Sequence, residues 1–287
     1  MNLPWMIIGG GAASWMSAGP GVSAPLALGT GAFTGWAISR ALEPRFERST
    51  VLLTIIALMG SAPVAAQPDV ARTLLALAAG SALLWLCAAR PGATGLIFAS
   101  AAGVAPAIMA LAQDTERGFG WEPLLAALFG ARGLIYGAPI LWLAFGGLVR
   151  LRGADRPLAR LALAAVGPGL LTLSMTIDPG ERAFWALWVP FLAPGLARAL
   201  EGLRSFAARR PERVLAGAGA CLILWNLLLM EQYRRLAIPA DDTTSFARIT
   251  MNSASLLSRA VGAPPAWPAN WIFAWRFGAP ASKWEAV

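Results

Sequence analysis

Apolar runs separated by short breakers dominate the chain. The runs fall near 3–18, 22–40, 50–66, 71–89, 93–112, 133–150, 158–177, 183–201 and 213–233. Most are about 18 to 20 residues long, the length at which an apolar helix crosses a hydrocarbon layer. Gly19-Pro20-Gly21, Glu43-Pro44-Arg45, Gln67-Pro68-Asp69, Arg90-Pro91-Gly92 and Asp178-Pro179-Gly180 interrupt them. Proline and glycine end helices, so each cluster is read as a helix boundary. The pattern predicts an all-α fold: a polytopic integral membrane bundle of about nine transmembrane helices over 1–235.

The segment 236–287 is predicted to be a separate extracytoplasmic tail. Phe246, Ile249, Leu256, Leu257 and Val261 recur at near-helical spacing within it, so an amphipathic surface helix is expected there. A run rich in proline and tryptophan follows.

Composition agrees with this reading. Hydrophobic residues make up 57% of the chain and charged residues 13%, against roughly 25% charged in soluble domains. Arginines cluster after alternate apolar runs: Arg40, Arg45 and Arg48; Arg90; Arg150, Arg152, Arg156 and Arg160; Arg198, Arg204, Arg209, Arg210 and Arg213. Positive loops stay on the cytoplasmic side, so a cytoplasmic N-terminus and an outer C-terminus are expected. The lipid bilayer is then the partner, and the bacterial cytoplasmic (inner) membrane the expected location. The formal charge of +8 is spread between apolar runs without interleaved aromatics, and nucleic acid is not an expected partner.

Histidine is absent, which excludes His-dependent triads and histidine-ligated metals within the chain. Cys87 and Cys221 each lie inside an apolar run and are read as packing residues. Gly9-Gly10-Gly11 lacks the strand and the Lys-Ser or Lys-Thr of a phosphate loop. The tryptophans are read mainly as interfacial anchors.

Candidate chemistry concentrates in the loop from Gln113 to Arg132. Asp114, Glu116 and Glu122 are candidate catalytic acids or bases, and paired carboxylates there are the one place where a divalent cation is expected. No metal ligand set is otherwise assigned. Arg132, with Arg182 on the turn after Asp178, is a candidate phosphate-binding group, since a guanidinium grips phosphate bidentately. A solvated loop is the preferred explanation of the carboxylates. Glu181 is accounted for by the dipole of the helix that it precedes.

Three stretches carry a family resemblance. They are Gly11-Ala12-Ala13-Ser14-Trp15 through Gly19-Pro20-Gly21-Val22-Ser23, Phe129-Gly130-Ala131-Arg132 through Tyr136-Gly137-Ala138-Pro139, and Glu181-Arg182-Ala183-Phe184 through Val189-Pro190-Phe191-Leu192-Ala193-Pro194-Gly195-Leu196. In order and character they resemble the later part of the GT-C-type membrane glycosyltransferases. That resemblance implies transfer of a sugar from a polyprenyl-phosphate donor at the outer membrane face. It also implies an acid in the first outer loop, where Ala18–Val22 has none, and histidines where Ala24-Pro25 and Arg132-Gly133 stand. A truncated relative is therefore expected, with a separate chain supplying the missing N-terminal part. The alternative is a non-catalytic membrane subunit of a larger complex.

Overall fold

The computed structural model describes residues 24–59, 70–113, 121, 125, 139–172, 186–206, 211–234, 245–261, 275, 276 and 278. They form α1 (Ala24–Leu42), α2 (Arg48–Met59), α3 (Val70–Ala89), α4 (Ala93–Gln113), α5 (Pro139–Ala154) and α6 (Arg156–Thr172). A 3-10 turn (Val189–Leu192) leads into α7 (Ala193–Phe206), followed by α8 (Pro211–Arg234) and α9 (Phe246–Val261). All-α holds for these residues.

Helix boundaries follow local chemistry. Proline at Pro44 and Pro91 cannot donate to the preceding helix, so α1 and α3 end just before them. Asp155 accepts the Leu158 backbone N–H at 3.0 Å and caps α6. Pro190 lies in the first turn of the 3-10 segment, where a missing N–H costs nothing.

Packing rests on small residues at several close approaches. A methyl group on Gly147 of α5 would collide with the carbonyl oxygen of Gly195 in α7. One on Gly103 of α4 would collide with the Ala165 carbonyl of α6. One on Gly169 of α6 would come within 2.7 Å of the Trp188 ring. These glycines let α5 meet α7, let α4 meet α6, and seat the fully buried Trp188 beneath α6. Helix α1 lies along α3, and α9 packs on α8.

The core is apolar: Ile38, Leu42, Ile55, Leu84, Ile140, Phe191 and Leu196 are inaccessible to solvent. Several buried hydroxyls are satisfied within their own helices, whereas the Thr50 hydroxyl has no partner among the described residues. Thr34 donates to the Thr30 carbonyl at 2.8 Å, Thr54 to Thr50 at 2.8 Å and Ser81 to Leu77 at 2.7 Å. Large apolar side chains also remain outside, among them Ile97, Phe98, Ile108, Val149 and Leu171.

The nine-span prediction is corrected by helix length and composition. Among the described residues, one helical stretch, Arg72–Ala89, is long and apolar enough to cross a membrane. Of the run 50–66, the described residues belong to the 12-residue α2, one of the shorter apolar helices. The run 183–201 yields a 3-10 turn and a 14-residue helix in place of one span.

The expectations built on nine spans are corrected with it. They are a cytoplasmic N-terminus with an outer C-terminus, the lipid bilayer as partner, and the bacterial inner membrane as location. The resemblance to GT-C glycosyltransferases implies a polytopic architecture that the described helices do not form. Transfer from a polyprenyl-phosphate-linked sugar, a separate chain completing that enzyme, and a membrane subunit of the same fold therefore lose their support.

Candidate anion-binding site

Four helix junctions meet at one end of the bundle. The α1–α2 turn reaches the α5–α6 turn through Arg45 Nε and Asp155 Oδ2, 2.8 Å apart. Arg45 also donates to the Ala88 carbonyl at the end of α3, at 3.5 Å. Arg204, in the last turn of α7, pairs with Glu47 at the start of α2. Arg45 and Arg204 thus hold these junctions together.

A basic recess at this end has a volume of about 820 Å³. Its walls are Arg152 and Gly153 from α5, Arg156, Arg160, Leu163 and Ala164 from α6, and Leu96 from α4. The spacing of the α6 residues explains the arrangement. Positions 156, 160, 163 and 164 recur on one helical face, so two guanidinium groups at the helix start give way to an apolar stripe one turn on.

Charge compensation decides what the recess offers. Asp155 stands between Arg152 and Arg156 in sequence, but its two oxygens are taken by Arg45 and by the cap of α6. Among the described residues no carboxylate pairs with Arg152, Arg156 or Arg160. Three positive groups therefore share one open recess, and the field favours an anion there. Each guanidinium presents several N–H donors in a planar fork suited to carboxylate or phosphate oxygens.

The sequence-predicted site residues Asp114, Glu116, Glu122, Arg132 and Arg182 lie outside the described residues. So does any divalent cation site that those carboxylates would form. Among the described residues no group of three or more Cys, Asp or Glu side chains comes together as a metal site. Arg152, Arg156 and Arg160 were visible in the sequence only as loop charges. The signal that would have singled them out is the i, i+4, i+7, i+8 series running from arginine into Leu163 and Ala164.

Comparison with protein-family models, with curated proteins and with solved structures finds no match. The functional reading therefore rests on the geometry alone.

Proposed function

We propose that the protein binds a small anionic amphiphile, with its headgroup on Arg152, Arg156 and Arg160 and its tail along Leu96, Leu163 and Ala164. The carrying observation is the juxtaposition of three arginines lacking a carboxylate partner among the described residues with an apolar wall in the same recess. The ligand class is a monoalkyl phosphate or a comparable compact, highly charged headgroup on one short chain. No group transfer is part of this reading.

Magnitudes support a selective but moderate site. An exposed ion pair contributes about 0 to 1 kcal/mol, so three pairs add at most about 3 kcal/mol. Burying a methylene adds about 0.8 kcal/mol, and a few buried methylenes bring the total to the range of micromolar to millimolar binding. Headgroup charge therefore governs selectivity, and the tail contributes a comparable share of affinity.

Calorimetric titration with octyl phosphate and with octyl glucoside, both kept below micelle formation, tests the reading. Octyl phosphate is expected to bind more tightly, to weaken with added salt, and to lose about tenfold in affinity in an R156Q/R160Q variant, about 1.4 kcal/mol. Equal binding of the two probes, or an R156Q/R160Q variant indistinguishable from the parent, overturns it.

A further inference from the structure

A second recess lies on the other side of the α4 start, between the end of α3 and the beginning of α4, with a volume of about 850 Å³. A ligand pocket typically encloses about 300 to 1,000 Å³. Its chemistry differs from that of the three-arginine site. Trp85, Leu86 and Phe98 form apolar walls, and Arg90 is the one charged residue among the described residues of the lining.

The turn that creates this recess is closely specified. The Arg90 N–H is shared between the Leu86 and Cys87 carbonyls, each at 3.2 Å, and the Arg90 carbonyl accepts from Gly92 N–H at 2.8 Å. A methyl group on Gly95 would come within 2.7 Å of that same carbonyl. The Cys87 thiol donates to the Gly95 carbonyl at 3.3 Å and ties the two helices together behind the recess. The Trp85 ring is held by an edge-on contact with Trp36, with centroids 4.9 Å apart. One wall is therefore fixed before any ligand arrives.

The opposite wall is open. Phe98 is 52% and Leu86 55% exposed, so apolar area remains to be covered. Among the described residues the Arg90 guanidinium has no carboxylate partner. One uncompensated positive charge beside aromatic and aliphatic walls matches one negative charge on a flat apolar body. We propose that the recess between α3 and α4 is a second ligand site, taking an aromatic monocarboxylate. Its carboxylate pairs with Arg90 and its ring lies between Trp85 and Phe98. The Thr94 hydroxyl, also in the lining, offers a second donor to the carboxylate.

Equilibrium dialysis with 2-naphthoate and with the uncharged 2-naphthalenemethanol tests the assignment on the full chain. An R90Q variant is expected to bind naphthoate about tenfold more weakly while leaving the alcohol unchanged, and R90K to recover part of the loss. F98A is expected to weaken both probes several-fold. R156Q/R160Q is expected to leave both unchanged, so this site and the three-arginine site can fail separately. Because Arg90 is exposed, R90Q is expected to melt as the parent does. The assignment is overturned if the parent shows no saturable naphthoate binding, if R90Q binds as the parent does, or if R156Q/R160Q abolishes naphthoate binding.

Discussion

Arg45 and Asp155, 110 residues apart, form an ion pair of 2.8 Å between Nε and Oδ2. The pair joins the α1–α2 turn to the α5–α6 turn. Asp155 acts a second time as the cap of α6 through its other oxygen, and Arg45 acts a second time through the Ala88 and Ala41 carbonyls. These contacts separate what each residue contributes. Both side chains are about a quarter exposed, so the ion pair itself is worth about 0 to 1 kcal/mol, while loss of a cap costs about 0.5 to 2 kcal/mol. Asp155→Ala is expected to be the most destabilising change, with Asp155→Asn and Arg45→Ala milder because the cap survives. Urea unfolding of the three variants checks that order. Equal losses would mean that the cap contributes nothing.

Adjacent glycines in α5 face different surroundings. A methyl group on Gly147 meets backbone of α7, which cannot swing aside, whereas one on Gly146 meets nothing within 4 Å. Gly147→Ala is therefore expected to force α5 and α7 apart and to cost about 1 to 3 kcal/mol. Gly146→Ala is expected to be neutral or stabilising by up to about 1 kcal/mol, the helix-propensity difference. Thermal melting of the pair checks the contrast, and a Gly147→Ala variant as stable as its neighbour would rule out the close approach.

How much of this was legible in the sequence differs from element to element. Helical character was, because the apolar runs are long and bounded by proline and glycine, as at Glu43-Pro44-Arg45 and Arg90-Pro91-Gly92. How a run divides was not. The run 183–201 contains Pro190 and Pro194, and its described part is divided between a 3-10 turn and α7. Hydropathy averaged over a window cannot distinguish a helix that is apolar because lipid surrounds it from one that is apolar because other helices do. Leu84 and Ile140 are covered by protein while Ile97 is not, and nothing local in the sequence separates them. The arginine recess was hidden for a different reason: it takes residues from α4, α5 and α6, and their meeting depends on Gly103 lying against Ala165.

Gln232 ties α8 to α9. Its Nε2 donates to the Ile249 carbonyl at 3.2 Å and to Ser253 Oγ at 2.8 Å, and the side chain is fully buried. Its Oε1 has no partner among the described residues, so part of what these bonds contribute is offset by an unsatisfied acceptor. Gln232→Ala removes both bonds and leaves a cavity. It is expected to raise amide exchange rates across α9 by about five- to thirty-fold, corresponding to about 1 to 2 kcal/mol. Ser253→Ala, which removes one bond, is expected to do less. Exchange resolved by peptide distinguishes local loosening of α9 from loss of the whole fold, which would raise rates in α5 and α7 as well.

The two cysteines should report opposite environments. Cys87 is buried and Cys221 exposed. Burial pushes the Cys87 thiol above its ordinary value of 9.0, only partly opposed by a hydrogen bond with the Ala99 backbone. The thiolate is the reactive form, so maleimide at neutral pH is expected to label Cys221 and to spare Cys87 until the protein unfolds. The same shift sets a pH dependence. The folded state holds the Cys87 proton more tightly than the unfolded chain, so this contribution is fully present below the ordinary thiol value and is lost as pH rises beyond it. Stability is expected to fall above about pH 9, and Cys87→Ala, though less stable overall because of the cavity it leaves, is expected to show a shallower fall. Melting temperatures from pH 7 to 10.5 measure the two slopes, and parallel slopes in parent and variant would remove Cys87 as their source.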